Sequence, residues 1–113
     1  MNFIFRQVNE NDWKQYRDIR LEALQNDPQA FGASYTDESQ KTDIDWQRLL
    51  SNPTVVRIAA QDEQGQFIST VGASEKETGI WKIQAIYTRQ AYRAKGVGKQ
   101  LLAYLITFIT NNK

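Results

Sequence analysis

The chain has 113 residues, of which 41% are hydrophobic and 12% aromatic, and its formal net charge is +1 at pH 7. These proportions indicate one small globular domain with a hydrophobic core rather than a disordered segment. The sequence contains no cysteine and no histidine, which excludes disulfides, thiolate nucleophiles, Ser-His-Asp catalysis and most transition-metal sites. We therefore expect no metal cofactor.

The charges are unevenly distributed along the chain. Residues 1–77 contain all 13 acidic residues against 8 Lys/Arg, whereas residues 78–113 contain 6 Lys/Arg and no acidic residue. The basic third is therefore expected to face an anion, and a phosphate ligand is favoured over a nucleic-acid surface because most of these cations lie close together in the sequence. The sequence has neither a run of about 18 apolar residues nor an N-terminal secretory signal, so we predict a cytoplasmic protein with no membrane partner.

The predicted elements follow the order β-α-α-β-β-β-α, a mixed α/β (α+β) layout in one domain. In chain order they are a strand over 3–8, a helix to about residue 24, a polar loop over 29–40, a helix beginning after Thr42, strands over 55–60, 67–73 and 80–88, and a helix over 97–110. Asn11 or Asp12 is predicted to cap the first helix, and Thr42 with Asp45 resembles a capping box for the second.

The last predicted strand should alternate between two faces of the sheet. One face is expected to carry Trp81, Ile83, Ala85 and Tyr87; the other is expected to carry Ile80, Lys82, Gln84, Ile86 and Thr88. The apolar helix that follows would then pack on the sheet.

Between this strand and the last helix, Gly96 and Gly98 are surrounded by Arg93, Lys95 and Lys99. Glycine allows a close backbone approach to a ligand, and the first turn of a helix offers unpaired N–H groups to an anion. The spacing is not that of a P-loop, since Gln100 stands where Ser or Thr is needed. It is not a dinucleotide fingerprint either, since Leu101 replaces the third glycine.

The pattern Arg93-x-x-Gly96-x-Gly98 resembles motif A of the GNAT superfamily of acetyl-CoA-dependent N-acetyltransferases. Residues 86–93 are similar to the family's fourth strand and the segment after it, although Thr88 and Gln90 replace a common Val and Pro. Residues 17–24 and 28–31 are similar to the first helix and loop of one branch. The resemblance covers essentially the whole chain.

The resemblance implies that acetyl-CoA is the cosubstrate. The pyrophosphate would be bound by the backbone N–H groups of residues 94–99, the pantetheine arm would run beside residues 86–88, and a backbone N–H near Ile86 would polarise the thioester carbonyl. The cofactor-binding residues implied are Ile86, Tyr87, Thr88, Arg93, Ala94, Lys95, Gly96, Val97, Gly98 and Lys99.

The catalytic residues are not assigned by the sequence. Many family members have a Glu on the fourth strand where this chain has Lys82. Glu22, Glu38 and Glu75 are candidate general bases and Gln84 is a candidate for orienting a water, but each of these carboxylates is more simply read as a surface or capping acid. Four aromatic residues are candidates for lining an acceptor pocket, with core packing the simpler interpretation for the tryptophans: Trp13, Phe31, Tyr35 and Trp46.

A typical member of the family continues past the motif A helix with a strand, another helix and a closing hairpin. We therefore expect residues 1–113 to form a single GNAT-like domain that lacks these elements, which would leave the fourth strand as a sheet edge open to a second copy of the chain. Two functions stay open. One is acetyl transfer to a small-molecule or peptide amine by direct attack; the other is a non-catalytic module that binds CoA or a nucleotide, or an inactive dimerising fragment.

Overall fold

A computed structural model describes residues 3–30 and 34–111 of the chain. The four strands are β1 (Ile4–Gln7), β2 (Val55–Gln61), β3 (Phe67–Glu77) and β4 (Ile80–Thr88), and the four α-helices are α1 (Trp13–Asn26), α2 (Tyr35–Glu38), α3 (Asp43–Ser51) and α4 (Val97–Asn111). The predicted mixed α/β order is confirmed, with α2 as an additional short helix. None of the helices in the described ranges is long and apolar enough to span a membrane.

The capping box predicted at the start of α3 is confirmed. The hydroxyl of Thr42 accepts a hydrogen bond from the N–H of Asp45 at 3.2 Å, and the carboxylate of Asp45 accepts one from the N–H of Thr42 at 2.9 Å. Each residue thus satisfies a backbone donor that the first turn of the helix leaves unpaired.

The cap predicted for the first helix is confirmed only in position: Asp12 is the N-cap residue of α1, but its side chain makes no capping hydrogen bond to that helix. Asn9 caps a short 3₁₀ turn, Glu10–Asp12, that precedes α1, and its side chain accepts a hydrogen bond from the N–H of Asn11 at 2.9 Å. The carboxylate of Asp12 instead accepts hydrogen bonds from the guanidinium of Arg6 at 2.8 and 2.7 Å. Burial alone would raise the pKa of Asp12, but the bonds from Arg6 and from the Asn9 N–H outweigh it and lower the pKa.

The loop predicted over residues 29–40 is partly helical. A 3₁₀ turn over Pro28–Ala30 follows α1, and α2 begins after Ser34, whose hydroxyl accepts a hydrogen bond from the N–H of Asp37 at 3.4 Å. Four residues are too few for the apolar periodicity that reveals a helix in sequence.

The sheet is antiparallel throughout, in the order β1-β2-β3-β4, and it is covered on both faces. The first core lies between the sheet and α1 and α3, and it consists of Val8, Tyr16, Ile19, Ala23, Trp46, Leu50, Ala59, Phe67 and Tyr87. The second core lies between the sheet and α4, and it consists of Val56, Ile58, Ala60, Ile68, Val71, Ala73, Val97, Leu101 and Leu105. Each helix layer therefore buries one face of the central strands.

The alternation predicted along β4 is wrong beyond Ala85. Gln84 pairs with Gly72 and Tyr87 pairs with Thr70, so two residues of β4 lie opposite the single residue Val71. This is a β-bulge, and Ala85 adopts a left-handed conformation with φ of +57°. Because side chains alternate with a period of two, the extra residue moves every later side chain of β4 to the opposite face of the sheet.

Trp81 consequently packs against the second core, whereas Tyr87 belongs to the first. Ile83 pairs with Ala73 of the second core, so it lies on the same face as Trp81. Strict alternation along the strand predicted Trp81 and Tyr87 on the same face of the sheet, whereas the bulge places them on opposite faces.

We predict that Leu105→Ala lowers the free energy of unfolding by about 2–5 kcal/mol, because Leu105 is fully buried on α4 and the shortened side chain leaves a cavity. The neighbouring Ile106→Ala should cost less than about 1 kcal/mol, since Ile106 is 50% exposed. Urea denaturation of both variants measures the difference. Equal losses would contradict the placement of α4 on the sheet.

Candidate cofactor site

The site predicted around the two glycines lies where β4 ends and α4 begins. A 3₁₀ turn over Gln90–Tyr92 follows the strand, and a tight turn over residues 93–96 leads into α4. Ala94 and Gly96 are both left-handed, with φ of +63° and +79°, while Lys95 between them is not. Such alternation of backbone hand turns successive N–H groups toward one side, which is the geometry of an anion-binding concavity.

The first turn of α4 adds further donors. The first backbone hydrogen bond into the helix joins the N–H of Gln100 to the carbonyl of Gly96 at 3.0 Å. The N–H groups of Val97, Gly98 and Lys99 precede this bond and therefore have no acceptor within the helix. They point out of a 15-residue helix whose dipole is positive at this end.

The two glycines serve different purposes. Gly96 has the positive φ that side chains rarely adopt, so it is needed for the turn itself. Gly98 has an ordinary helical conformation, and a Cβ at that position would lie 3.5 Å from Oγ1 of Thr88. Gly98 thus keeps open the space between the start of α4 and the end of β4.

The three predicted cations of the loop differ in their surroundings. Lys95 and Lys99 are exposed beside the turn. Arg93 turns back to the strand, where its Nε donates a hydrogen bond to the carbonyl of Thr88 at 2.8 Å and its guanidinium lies 5.4 Å from the ring centre of Tyr87. Arg93 therefore secures the end of β4 as well as contributing charge.

Strand β4 forms the edge of the sheet next to this loop. Within residues 3–30 and 34–111 no strand pairs with its outer edge. Ile86, in the bulge, is 47% exposed, and Thr88 is half-buried. The ten residues implied by the resemblance, 86–88 and 93–99, are therefore brought together along one strand end and one turn.

Tyr87 differs from its neighbours because its side chain is buried. Its hydroxyl donates a hydrogen bond to Glu22 at 2.7 Å and accepts one from the side-chain amide of Asn26 at 3.2 Å, both on α1. Burial, together with the carboxylate of Glu22, raises the pKa of Tyr87 above its ordinary value. The Glu22 carboxylate is also paired with Arg89 at 2.7 Å.

Two candidate bases are engaged in ion pairs. Glu22 is bound by Tyr87 and Arg89, as above, while Glu38 is buried and receives two hydrogen bonds of 3.1 Å from Arg20. Burial alone would lower the pKa of Arg20, but the hydrogen bonds that its guanidinium donates to the Glu38 carboxylate outweigh burial and raise the pKa. Both carboxylates therefore connect elements of the fold. The sequence analysis had interpreted them as surface or capping acids and did not predict these contacts.

The remaining candidates lie on the hairpin of β3 and β4. Glu75 is exposed and accepts a hydrogen bond from the N–H of Gly79 at 3.0 Å, so it closes the turn between the strands. Gln84 is exposed on β4 opposite Gly72. Across the described ranges, no group of three acidic side chains is arranged to hold a metal ion.

The aromatic candidates separate by burial. Trp46 is 1% exposed in the first core and Trp13 packs against that core, which confirms core packing for both tryptophans. Tyr35 is 38% exposed at the start of α2. Phe31 lies outside the described residues.

Sequence reasoning missed the roles of Arg89 and Asn26. Arg89 donates from Nε to the carbonyl of Phe67 at 2.9 Å in addition to its pair with Glu22. The only available signal was the position of Arg89 directly after the strand, since its partner Glu22 is 67 residues away in the sequence.

A family model described as the acetyltransferase (GNAT) family matches residues 12–112 of the chain. The chain belongs to the GNAT acetyltransferase family. No curated protein matches the sequence. The family uses acetyl-CoA, as the resemblance in the glycine turn implied.

Solved structures show the same fold. A ribosomal-protein-alanine N-acetyltransferase from Brucella melitensis biovar Abortus 2308 is 17% identical, with a TM-score of 0.72, over 98% of this chain and 74% of that one. An aminoglycoside acetyltransferase from an uncultured soil metagenomic sample is 18% identical, with a TM-score of 0.77, over 99% and 74%. An aminoglycoside 6'-N-acetyltransferase complexed with coenzyme A is 20% identical, with a TM-score of 0.69, over 96% and 56%.

The ion pair between Arg20 and Glu38 of this GNAT chain yields a prediction about stability. Arg20→Ala should lower the free energy of unfolding by about 3 kcal/mol, because it removes the main partner of a buried carboxylate. Arg17→Ala, on the same helix, removes the exposed pair with Asp18 and a contact of the guanidinium with the Trp13 ring, and should cost less, about 1 kcal/mol. Urea denaturation of both variants is the measurement, and similar losses would show that the Glu38 pair is not buried in solution.

Proposed function

We propose that this chain binds acetyl-CoA along β4 and the turn over residues 93–99, and that it transfers the acetyl group to a primary amine. The observation that carries the proposal is the turn with left-handed Ala94 and Gly96, which presents the start of α4 directly beside an open strand edge. A diphosphate at a helix N-terminus is stabilised by unpaired N–H groups and by the helix dipole.

In this proposal the predicted cofactor-binding residues have different roles. The N–H groups of residues 94–99 bind the pyrophosphate, with added charge from Lys95, Lys99 and Arg93. The backbone of Ile86, Tyr87 and Thr88 pairs with the amides of the pantetheine arm, as an added strand pairs with a sheet edge. The exposed side chain of Ile86 supports this placement.

The acetyl carbonyl is proposed to lie at the bulge of β4. Ala85 and Ile86 share one partner residue on β3, so the ladder of hydrogen bonds is interrupted there. An N–H freed from the ladder near Ile86 would stabilise the negative charge that builds on the carbonyl oxygen as the amine attacks. The amine nitrogen bonds to the carbonyl carbon, the C–S bond breaks, and coenzyme A leaves as a thiolate that takes up the proton lost by nitrogen.

The acceptor is proposed to be a small-molecule or peptide amine. The solved relatives include enzymes named for aminoglycosides and for a ribosomal-protein alanine.

The alternative function, a non-catalytic CoA-binding module, is favoured by one observation: Glu22 and Glu38 are both held in ion pairs, which leaves neither as a free base. Two further statements stay predictions: that residues 1–113 form a single domain, and that the protein is cytoplasmic.

Calorimetric titration with acetyl-CoA, followed by an assay of thiol release with a panel of amines, tests the proposal. We expect binding and amine-dependent release of coenzyme A. Binding without release from any amine would select the non-catalytic alternative. Absence of binding would reject both functions.

Gly98→Val should reduce acetyl-CoA affinity by more than about tenfold, because its branched side chain would fill the space between Thr88 and the start of α4. Ala103→Val makes a comparable addition at an exposed position of the same helix and should leave affinity unchanged. Calorimetry measures affinity, and thermal unfolding checks that both variants fold. Unchanged affinity in folded Gly98→Val would contradict the assignment of the turn to the pyrophosphate.

We also propose that the half of β4 before the bulge pairs with a second copy of the chain, while the half after it serves the cofactor. Ile80 and Ile83 are 57% and 42% exposed there. Ile83 also lines an apolar groove of about 290 Å³ with Trp81 and Ile106. An unpaired strand edge with exposed apolar side chains favours such pairing.

Sedimentation velocity over a series of concentrations tests this pairing. We expect the wild-type chain to dimerise and Ile83→Lys to shift it toward the monomer, because a charge would be buried in the contact. Ile4→Lys, at a 62% exposed position on the opposite edge of the sheet, is the matched control and should leave the dimer intact. A wild-type chain that stays monomeric at the highest concentration would exclude the dimer.

A further inference from the structure

The bulge in β4 contains a backbone conformation that the surrounding structure has to maintain. Ala85 has a φ of +57°, which residues other than glycine adopt infrequently. Such conformations persist where neighbouring contacts hold them, and they concentrate at functional sites. The contacts of the residues directly after Ala85 are therefore informative.

Tyr87 anchors the strand after the bulge to α1. Its ring is 4% exposed in the first core, and its hydroxyl bonds to Glu22 at 2.7 Å and to Asn26 at 3.2 Å. A hydrogen bond to a carboxylate is stronger than one between neutral groups. The Tyr87 side chain, two residues after Ala85, is therefore fixed in orientation by its hydrogen bonds and is held in the core by its buried ring.

Two arginines also bind the same end of the strand. Arg89 binds both the Glu22 carboxylate and the carbonyl of Phe67, at 2.7 and 2.9 Å. Arg93 binds the carbonyl of Thr88 at 2.8 Å and stacks over the ring of Tyr87. The bonds form a connected network, in which loss of one member weakens the others.

We propose that Tyr87 and Glu22 are positioning residues that hold the bulge at Ala85 and Ile86 and thereby aim the Ile86 N–H at the acetyl carbonyl. This inference rests on the proposed function, because it assigns the network to the same carbonyl site. Neither side chain is a catalytic residue in this scheme; both act through the backbone of β4. The pairing of a left-handed residue with a buried, carboxylate-bound tyrosine two positions later is the observation behind it.

A purely structural role for Tyr87 is the alternative, and the chain offers a matched control. Tyr16 is 5% exposed in the same core, and its hydroxyl accepts a hydrogen bond from Arg57 at 3.0 Å. Tyr16→Phe and Tyr87→Phe therefore each remove one buried hydroxyl and keep the ring. Only Tyr87 is connected to the bulge.

The test measures the acetyl carbonyl directly. The wild-type chain, Tyr87→Phe and Tyr16→Phe are saturated with acetyl-CoA labelled with ¹³C at the carbonyl, and the ¹³C chemical shift is recorded. A hydrogen bond to the carbonyl moves this resonance downfield from its position in free acetyl-CoA. We expect the downfield displacement in wild type and Tyr16→Phe, and loss of most of it in Tyr87→Phe with little change in the affinity for acetyl-CoA.

Where the wild-type chain turns over, kcat should fall about tenfold in Tyr87→Phe with KM for acetyl-CoA unchanged, because a misdirected donor loses part of its effect in the transition state. Glu22→Ala should reproduce this result, and the double variant should lose little more, since both changes act on one interaction.

The outcomes separate the two proposals. If wild type binds acetyl-CoA and its carbonyl shift is the same in Tyr87→Phe, the positioning role is overturned while the proposed function stands. Equal effects of Tyr87→Phe and Tyr16→Phe also overturn it, because they would reflect general loss of stability. If wild type does not bind acetyl-CoA, the proposed function fails and this inference fails with it.

Discussion

Burial of both faces of the sheet is the constraint on which the rest of the structure depends. The central strands have apolar side chains on both faces, including Ile58 and Ala59 as successive residues of β2 with no measurable exposure. Two helix layers are then required, because α1 and α3 can cover only one face. The chain has to leave the end of β4, reverse direction and lay α4 across the opposite face, and this places the N-terminus of α4 beside the strand end. The candidate cofactor site is therefore located by the demands of the core.

Local signals in the sequence predict much of this arrangement. The bounds of β4 agree with the sequence prediction at both ends, because a glycine turn precedes the strand and the loop to α4 follows it. The capping box of Thr42 and Asp45 and the start of α4 at Val97 were also predicted, since each depends on residues within one or two helical turns. The same holds for the glycine turn, whose pattern pointed to the correct family.

The features that the sequence did not predict depend on contacts between distant segments. Glu22 and Tyr87 are 65 residues apart, and no local pattern indicates that they meet. The bulge at Ala85 is invisible to period-two reading because an alanine in the left-handed region has no compositional signature. Asp12 stands at the N-cap of α1 without a side-chain capping bond, because Arg6, on the neighbouring strand, binds the Asp12 carboxylate. In each case a tertiary contact overrode a local preference.

The turn between β4 and α4 has a consequence for how the sequence can vary. The concavity depends on the left-handed backbone at Ala94 and Gly96 and on the missing side chain at Gly98, whereas the side chains of Ala94, Lys95 and Lys99 are exposed and do not form the turn itself. A shape made by the main chain tolerates exchange of almost every side chain around it, provided that the hand of the backbone is kept.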